Sequence, residues 1–284
     1  MSTLLGASQI RELAGALDLK PAKALGQNFV IDANVCRKIV RLAGVTSSDV
    51  AVEIGPGLGS LTLGLLDEAA RVIAVEIDER LARQLPITIT KHSDHPGNLT
   101  VINRDALQLN ELPEDPTVLV ANLPYNISVP VLLHFLETFP TLRSGVVMVQ
   151  AEVAERLAAK PGTKEYGIPT VKAAWWSQMS LAGSVSRSVF WPAPNVDSKL
   201  VGFIRRQAPA AESLRPVVFA AIDCAFAQRR KMLRSALSGW LGGSDVAIEV
   251  LTRAKIDPTL RGEVLVIEDY CAIGNAITEM GIGF

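Results

Sequence analysis

The sequence predicts an α/β protein with an open, doubly wound sheet, followed by a small domain built of helices alone. Between residues 49 and 150, five short apolar runs rich in β-branched side chains alternate with helical patterns. Strands buried on both faces of a parallel sheet read as nearly continuous apolar runs, and their alternation with helices is typical of βαβ units. After Pro209 only helical patterns follow. We therefore expect two domains, at residues 1–207 and 208–284.

The individual elements follow from the lengths of these runs and from the residues that bound them. Strands are predicted at 49–55, 71–77, 99–103, 117–122 and 145–150. Helices between them are predicted at Leu58–Glu68, Glu79–Leu85 and Val129–Thr138. The helices predicted for the second domain are Leu214–Ala227, Arg229–Leu241, Asp245–Ala254 and Ile267–Met280. In an open sheet of this kind, ligands bind at the carboxyl ends of the strands.

The composition argues against disulfide, metal and membrane chemistry. The chain has 284 residues, of which 49% are hydrophobic, and its 28 Lys and Arg against 29 Asp and Glu give a net charge of -1. The three cysteines stand far apart and the three histidines have no accompanying ligand cluster, so we expect reduced thiols and no metal. No apolar run reaches the roughly 18 residues that a membrane span requires. We expect a cytoplasmic monomer.

A glycine-rich turn ends the first predicted strand. Gly55, Gly57 and Gly59 stand in the string EIGPGLGS, and glycine allows the backbone to approach a ligand without a Cβ atom in between. The spacing differs from the Gly-x-Gly-x-x-Gly of dinucleotide sites. Taken by itself, the turn could be an ordinary connection between a strand and a helix.

Carboxylates lie at the ends of the next two strands. Glu76 lies 21 residues after Gly55, where an acidic side chain can accept hydrogen bonds from both hydroxyls of a ribose. Asp105 follows the third strand and can accept from an adenine amino group. The alternatives are a surface carboxylate for Glu76 and a helix cap for Asp105. Together with the glycine turn, the two carboxylates favour a pocket for an adenosine.

The fourth strand ends in the turn Asn122-Leu123-Pro124-Tyr125. An adenine N6 amine is a weak nucleophile because its lone pair is delocalised into the ring. The side-chain oxygen of Asn122 and the carbonyl of Leu123 can accept the two N6 hydrogens, which aims the lone pair at a methyl donor. Pro124 fixes φ and hence the direction of that carbonyl, and Tyr125 offers a face on which an extruded base can stack. The alternative is a β-turn with an Asn cap and a core Tyr.

Over most of its length the sequence resembles the ribosomal RNA adenine dimethyltransferases. The matching strings are LGQNFVID (25–32), VEIGPGLGSLT, VEID, RDAL, NLPYNIS, QAEVAERLAAKPGTKEYG (150–167), VFWPAPNVDSKLV (189–201) and FAQRRKMLRSAL (226–237). The resemblance implies a Rossmann-like class I methyltransferase sheet and S-adenosylmethionine as the cofactor. It also implies N6,N6-dimethylation of adjacent adenosines in 16S rRNA, within an immature small ribosomal subunit.

The same resemblance implies roles for individual residues. Phe190, in the string Phe-x-Pro-x-Pro-x-Val-x-Ser, packs on the target adenine opposite Tyr125, with core packing beside Trp191 as the alternative. The residues implied to contact the cofactor or the methyl-transfer centre are Asn28, Val30, Gly55, Glu76, Asp105 and Asn122, and Gly57, Ile77 and Ala106 are assigned to the same pocket.

A basic stretch opens the helix predicted at Arg229–Leu241. The spacing places Arg230, Lys231 and Arg234 on one face of that helix, next to Arg229, while Met232 and the apolar residues that follow supply a buried stripe. A solvated face is the alternative for such a helix. Because the stretch also matches the family, we interpret these four residues as contacts to the RNA backbone.

Two other functions stay open at this stage. One is methylation of adenine N6 in a different nucleic acid, either 23S rRNA or DNA. The other is a non-catalytic RNA-binding or assembly factor built on the same fold, since fold alone does not decide function. The intact NLPYNIS string, with Glu76 and Asp105 in place, favours the enzyme.

Overall fold

A computed structural model describes residues 2–19 and 28–283 of the chain. Its strands are β1 (Phe29–Val30), β2 (Val50–Ile54), β3 (Arg71–Glu76), β4 (Leu99–Asn103), β5 (Val118–Asn122), β6 (Ser144–Gln150), β7 (Ser177–Val185), β8 (Phe190–Trp191) and β9 (Ser198–Arg205). Its helices are α1 (Ala7–Ala16), α2 (Ala33–Ala43), α3 (Ser60–Leu66), α4 (Glu79–His92), α5 (Ser128–Thr138), α6 (Ala151–Leu157), α7 (Ile168–Ala173), α8 (Arg215–Ala227), α9 (Leu233–Ala236), α10 (Ser238–Leu241), α11 (Ser244–Arg253) and α12 (Ile267–Glu279).

Seven strands form one sheet in the order β4-β3-β2-β5-β6-β9-β7, and β1 pairs with β8 in a separate two-stranded ladder. The first five strands of that order are parallel, and β9 enters antiparallel to β6. The chain runs from β2 outward to β4 and then returns to β5 beside β2. This reversal is the topological switch point at which open α/β sheets bind their ligands. The predicted fold class is therefore confirmed.

The five predicted strands are all present, and their bounds agree with the structure to within one residue. Their side chains explain why: Val52, Val72, Val120 and Val147 are completely buried, so β2, β3, β5 and β6 read as apolar runs. Two helices differ from the prediction. α3 begins at Ser60, and α4 continues through Pro86 to His92. The proline removes one helical hydrogen bond, but Leu85 and Ile89 on either side of it are fully buried.

The chain divides into two compact units. Unit 1 comprises Met1–Ala154 and Met179–Arg205, and unit 2 comprises Glu155–Gln178 and Arg206–Phe284. This division differs from the predicted boundary between 207 and 208, because Glu155–Gln178 groups with the C-terminal helices. Two hydrogen bonds within unit 2 join its segments. The Tyr166 hydroxyl donates to the Leu265 carbonyl at 2.7 Å, and the Gly162 N–H donates to the Glu263 carbonyl at 2.7 Å.

The continuous helix predicted at Arg229–Leu241 is wrong. The stretch that follows α8 is a turn, Met232 has an extended backbone with ψ of 149°, and only short helices α9 and α10 follow. The cause lies in tertiary hydrogen bonds. The N–H groups of Leu233 and Arg234 donate to the carbonyls of Leu260 and Pro258, at 2.7 and 3.2 Å, rather than to a preceding helical turn.

Candidate active site

A cavity of about 240 Å³ opens at the carboxyl ends of β2, β3 and β5, all within unit 1. All nine residues of the predicted cofactor pocket line it, together with Pro124 of the β5 turn. The nine are Asn28, Val30, Gly55, Gly57, Glu76, Ile77, Asp105, Ala106 and Asn122. The structure therefore brings together, at the switch point of the sheet, residues that lie up to 94 positions apart in the chain.

The glycine turn between β2 and α3 has a backbone that only glycine adopts easily. Gly57 has a φ of +57°, and a Cβ atom there would come within 3.0 Å of the Phe29 ring. Gly59 has a φ of +96°, and its Cβ would lie 2.9 Å from a methyl carbon of Leu85. The turn can therefore lie close against β1 on one side and α4 on the other, which leaves the cavity side of the backbone open.

Glu76 is fixed at the end of β3 by two backbone donors. Its side chain is only 5% exposed, and its carboxylate accepts from the Gly57 N–H at 3.2 Å and from the Asp78 N–H at 3.0 Å. Burial raises the pKa of this carboxyl, and the two N–H donors partly offset that effect. The hydrogen bond to Gly57 ties the acidic residue to the glycine turn, so the two elements of the predicted pocket form one unit.

Asp105 lies at the cavity and also caps a turn. One of its carboxylate oxygens accepts from the Leu107 N–H at 2.9 Å, at the start of the short 3-10 helix Ala106–Gln108. The cap and the pocket position are thus compatible: the cap holds the carboxylate at the cavity wall. Ala106 is buried beside it, while Ile77 is 58% exposed at the rim. An exposed apolar side chain at the rim of the pocket offers a surface for a flat ring.

Glu53 is a second buried acid at the cavity, with no role predicted from the sequence. It lies in β2, only 1% exposed, and its carboxyl accepts from the Thr62 hydroxyl at 2.6 Å. Burial raises its pKa to about 8, with a further contribution from the negative charge of Glu76. The signal available in the sequence was a single Glu within the apolar strand VAVEI.

The turn after β5 orients the amide of Asn122. Its Nδ2 donates to the carbonyl of Asn28 at 2.9 Å, so the opposite end of the amide, Oδ1, is the acceptor available to a second group. The Leu123 N–H donates to the Met148 carbonyl on β6 at 3.1 Å, which fixes the backbone of the turn. The amide of Asn122 is thus fixed with Oδ1 as its acceptor end.

Tyr125 is half-buried, and its hydroxyl has a partner that the sequence analysis missed. The phenol oxygen lies 2.7 Å from the Oγ of Ser198, the first residue of β9. Burial raises the pKa of the Tyr125 phenol. Ser198 closes the Phe-x-Pro-x-Pro-x-Val-x-Ser string, from which only Phe190 was singled out, so the string itself was the available signal.

β1 lines the cavity through Phe29 and Val30, and β8 pairs with β1. Val30 pairs with Phe190 and Phe29 pairs with Trp191, and the carbonyl of Val30 accepts from the buried Ser60 hydroxyl at 2.7 Å. Phe190 is only 3% exposed and packs within the hydrophobic core of this unit. The structure thus has the core packing that was the alternative for Phe190, and stacking on a target adenine stays a prediction. The first residues of the LGQNFVID string, 25–27, lie outside the described residues.

A family model described as ribosomal RNA adenine dimethylase matches residues 19–279 of the chain. The chain belongs to this family. The match includes both units and every residue assigned to the site above. The family resemblance inferred from the sequence is therefore confirmed, and with it a methyl-transferring enzyme.

Two relatives show how similar known proteins are to this chain in sequence. A ribosomal RNA small subunit methyltransferase A of Kineococcus radiotolerans is 55% identical over 274 residues, which are 96% of this chain and 91% of the relative. The protein with the same name from Leifsonia xyli is 57% identical over 269 residues, covering 94% of this chain and 96% of the relative.

Solved structures share the fold. A dimethyladenosine transferase from Plasmodium falciparum superposes with a TM-score of 0.77 at 25% identity, covering 89% of this chain and 98% of that one. The 23S rRNA methyltransferase ErmE gives a TM-score of 0.66 at 25% identity, covering 88% of this chain and all of that one. The fold thus occurs both in a protein named a dimethyladenosine transferase and in one named a 23S rRNA methyltransferase.

The four basic residues assigned to RNA have unequal surroundings in this ribosomal RNA adenine dimethylase. Arg229 is engaged within unit 2, donating to Glu263 at 2.7 Å and to the Thr163 carbonyl at 3.0 Å. Arg230 and Lys231 are exposed in the turn before α9, and Arg234 is half-buried on α9. The expected shared helix face is wrong, since the three residues are not on one helix. Of the expected buried stripe, Leu233, Ala236 and Leu237 are buried, whereas Met232 is exposed.

Neither a metal centre nor a membrane span occurs in the part of this dimethylase that the structure describes. Residues 2–19 and 28–283 contain no group of three or more His, Cys, Asp or Glu side chains that could hold an ion. Within the same ranges, every helix is too short or too polar to cross a bilayer.

Proposed function

We propose that this protein transfers methyl groups from S-adenosylmethionine to the N6 atoms of adjacent adenosines in 16S rRNA, giving N6,N6-dimethyladenosines in an immature small subunit. The observation that carries the proposal is the position of the Asn122 amide. It borders a cavity with carboxylates suited to an adenosine, and its donor end is already engaged by Asn28. The small-subunit names of relatives at 55% and 57% identity support the choice of rRNA.

The residues at the cavity fit S-adenosylmethionine. Glu76 has about four acceptor positions, of which the N–H groups of Gly57 and Asp78 occupy two, so two remain for the hydroxyls of a ribose. Asp105 can accept from the adenine amine, and Ile77 can contact the face of the adenine ring. The open backbone at Gly57 leaves room for the rest of the molecule. When bound, this cofactor supplies an electrophilic methyl group on a sulfonium.

The turn after β5 prepares the acceptor amine. Asn122 Oδ1 and the Leu123 carbonyl accept the two N6 hydrogens, which localises the nitrogen lone pair and points it toward the methyl. No strong base is needed before transfer, because the amine proton can leave to water afterwards. Orientation and electrostatics therefore provide the rate enhancement. Tyr125 supplies a ring face for the extruded adenine, and Phe190 the opposite face once it becomes accessible.

Recognition of the RNA requires more than charge, because the chain has a net charge of -1. Arg230, Lys231 and Arg234 still provide a local basic surface for phosphates, although not on one helix face. Folded RNA that presents unpaired adenines lowers the cost of extruding the base. A partly assembled small subunit meets both requirements. We place the protein in the cytoplasm, where subunits assemble, and assign the second unit a role in RNA binding.

The test compares four substrates: immature small subunits, free 16S rRNA, free 23S rRNA and adenine-containing DNA. Each is incubated with S-adenosylmethionine and the wild type or Asn122→Ala, with Asn34→Ala on the exposed surface of α2 as the matched control. Mass spectrometry of digested nucleosides reports N6-methyladenosine and N6,N6-dimethyladenosine separately. We expect dimethylation of subunits by the wild type and the control only. Equal methylation of 23S rRNA or DNA would contradict the substrate, and no methylation at all would favour an assembly factor.

A further inference from the structure

We propose that Ser198 is a positioning residue for methyl transfer, which acts by holding the Tyr125 ring through their shared hydrogen bond. The proposal rests on the proposed function, since it concerns the base that Tyr125 would stack on. The two hydroxyl oxygens lie 2.7 Å apart, a normal distance for a hydroxyl–hydroxyl hydrogen bond. The residues are 73 positions apart in the chain, so the contact depends on the fold and not on local sequence.

The Ser198 side of this contact is rigid. Ser198 is completely buried and begins β9, where it pairs with Gln150 of β6. The neighbouring N–H of Ala151 donates to the carbonyl of Asp197 at 2.9 Å, which closes the ladder at this end. A hydroxyl on a paired and fully buried strand residue has little freedom to move. It can therefore serve as a fixed point for a side chain on a turn.

β6, with which Ser198 pairs, also fixes the turn after β5 at a second point. The Leu123 N–H donates to the carbonyl of Met148 on β6, two residues before Gln150. Leu123 and Tyr125 are thus both held against β6. Leu123 contacts it through a backbone hydrogen bond, and Tyr125 through Ser198, which pairs with β6. Together these contacts fix the position of the Leu123 carbonyl, which accepts an N6 hydrogen, relative to the Tyr125 ring, on which the base stacks. A shift of the ring would move the amine away from the methyl donor.

The 190–198 segment also connects the two halves of the site. At its start, Phe190 pairs with Val30, and the carbonyl of Val30 accepts from Ser60 at the beginning of α3. At its end, Ser198 meets Tyr125. The segment therefore runs from the wall of the cofactor cavity to the turn that receives the base. Ser198 is its contact with the turn, whereas Phe190 is its contact with the cavity wall.

A double-mutant cycle tests the proposal. Ser198→Ala, Tyr125→Phe and the double variant are compared with the wild type on immature small subunits. We expect each single variant to lower kcat by about 5-fold or more, because one buried hydroxyl loses its partner. The Kd for S-adenosylmethionine should stay within about 2-fold of the wild type. In the double variant the loss should equal that of Tyr125→Phe alone, since Ser198 then has no hydroxyl to hold.

A second readout reports the ring directly. An RNA fragment with 2-aminopurine in place of the target adenine loses fluorescence when the base stacks, and we expect less quenching with Ser198→Ala than with the wild type. Ser177→Ala is the matched control: Ser177 is also a buried first residue of a strand, but its hydroxyl donates to the Ala173 carbonyl. We expect it to change thermal stability without changing quenching or kcat.

Additive losses in the cycle, or unchanged quenching with Ser198→Ala, would overturn the proposal and leave the proposed function standing. A wild type that methylates none of the substrates would overturn both. A loss of kcat in Ser177→Ala as large as in Ser198→Ala would show that the effect comes from general destabilisation, and this would also overturn the positioning role.

Discussion

Replacing Glu76 by alanine is expected to abolish most of the affinity for S-adenosylmethionine while leaving the protein folded. The carboxylate retains about two acceptor positions beyond those filled by Gly57 and Asp78. Each charge-assisted hydrogen bond from a ribose hydroxyl contributes about 1.5–3 kcal/mol, so losing two costs at least about 3 kcal/mol, or roughly a 150-fold increase in Kd. The variant also loses the contact that holds the glycine turn, which acts in the same direction.

Isothermal titration calorimetry measures this change directly. The matched control is Glu79→Ala, three residues further along, whose exposed carboxylate pairs with Arg83 on the same helix. We expect the control to bind like the wild type. Because burial raises the pKa of Glu76, wild-type affinity should also fall as the pH is lowered through that pKa, and the alanine variant should lack this dependence. A folded Glu76→Ala protein with wild-type affinity would refute the reasoning.

Three further outcomes are expected. Asn122→Ala should lower kcat by roughly 100-fold or more, because the N6 amine loses one oriented acceptor, and its Kd for S-adenosylmethionine should change by only a few-fold; single-turnover methyl transfer near the wild-type rate would contradict this. Burial raises the pKa of Glu53 to about 8, above its ordinary 4.5, so ionisation destabilises the fold. As the pH rises from 4.5 to about 8, the unfolding free energy of the wild type should therefore decrease relative to that of Glu53→Gln, by up to several kcal/mol in urea titrations. Parallel curves of unfolding free energy against pH for the two proteins would rule the effect out. Burial alone would raise the pKa of Asp49, but hydrogen bonds, first among them that from Arg143, hold it at about 2. Arg143→Ala should thus lower the unfolding free energy by about 1–3 kcal/mol at neutral pH. The difference should shrink as the pH falls from 3.8 through about 2, because below that pH the carboxyl becomes protonated in both proteins.

The parallel half of the sheet could be predicted because burial on both faces leaves an uninterrupted apolar signal. β5 shows this, since Val118, Leu119, Val120 and Ala121 are all fully buried. β1, β7 and β8 carry no such signal. β7 has the sequence SQMSLAGSV and is mostly half-buried or exposed, and β1 and β8 have two residues each. Such short or mixed segments become strands because of their neighbours, which a single sequence does not reveal.

The same distinction applies to the candidate site. Glu76, Asp105 and Asn122 could be placed in one pocket because parallel strands bring their carboxyl ends to one edge. The contacts that orient them could not be derived in this way. The Asn122–Asn28 and Tyr125–Ser198 hydrogen bonds join residues that are 94 and 73 positions apart. The sequence does not reveal how the intervening chain brings these residues together.

The C-terminal helices illustrate the opposite error. The string RRKMLRSAL has helical spacing and good helix formers, so local propensity favours one long helix. In the structure, the N–H groups of Leu233 and Arg234 find carbonyl partners in a loop more than 20 residues later. Tertiary hydrogen bonds of this kind outweigh propensities of a few tenths of a kcal/mol per residue.

The interleaved course of the chain has a consequence for synthesis on the ribosome. Neither unit is complete when its first segment has emerged: unit 1 still lacks Met179–Arg205, and unit 2 still lacks Arg206–Phe284. Until β9 arrives, β6 presents an unpaired edge that can pair with another nascent chain. A gene cut between codons 207 and 208 would yield one product carrying Glu155–Gln178 without the helices they pack with, and another consisting of those helices alone. During translation, each unit can therefore complete its fold only after a segment of the other unit has been synthesised.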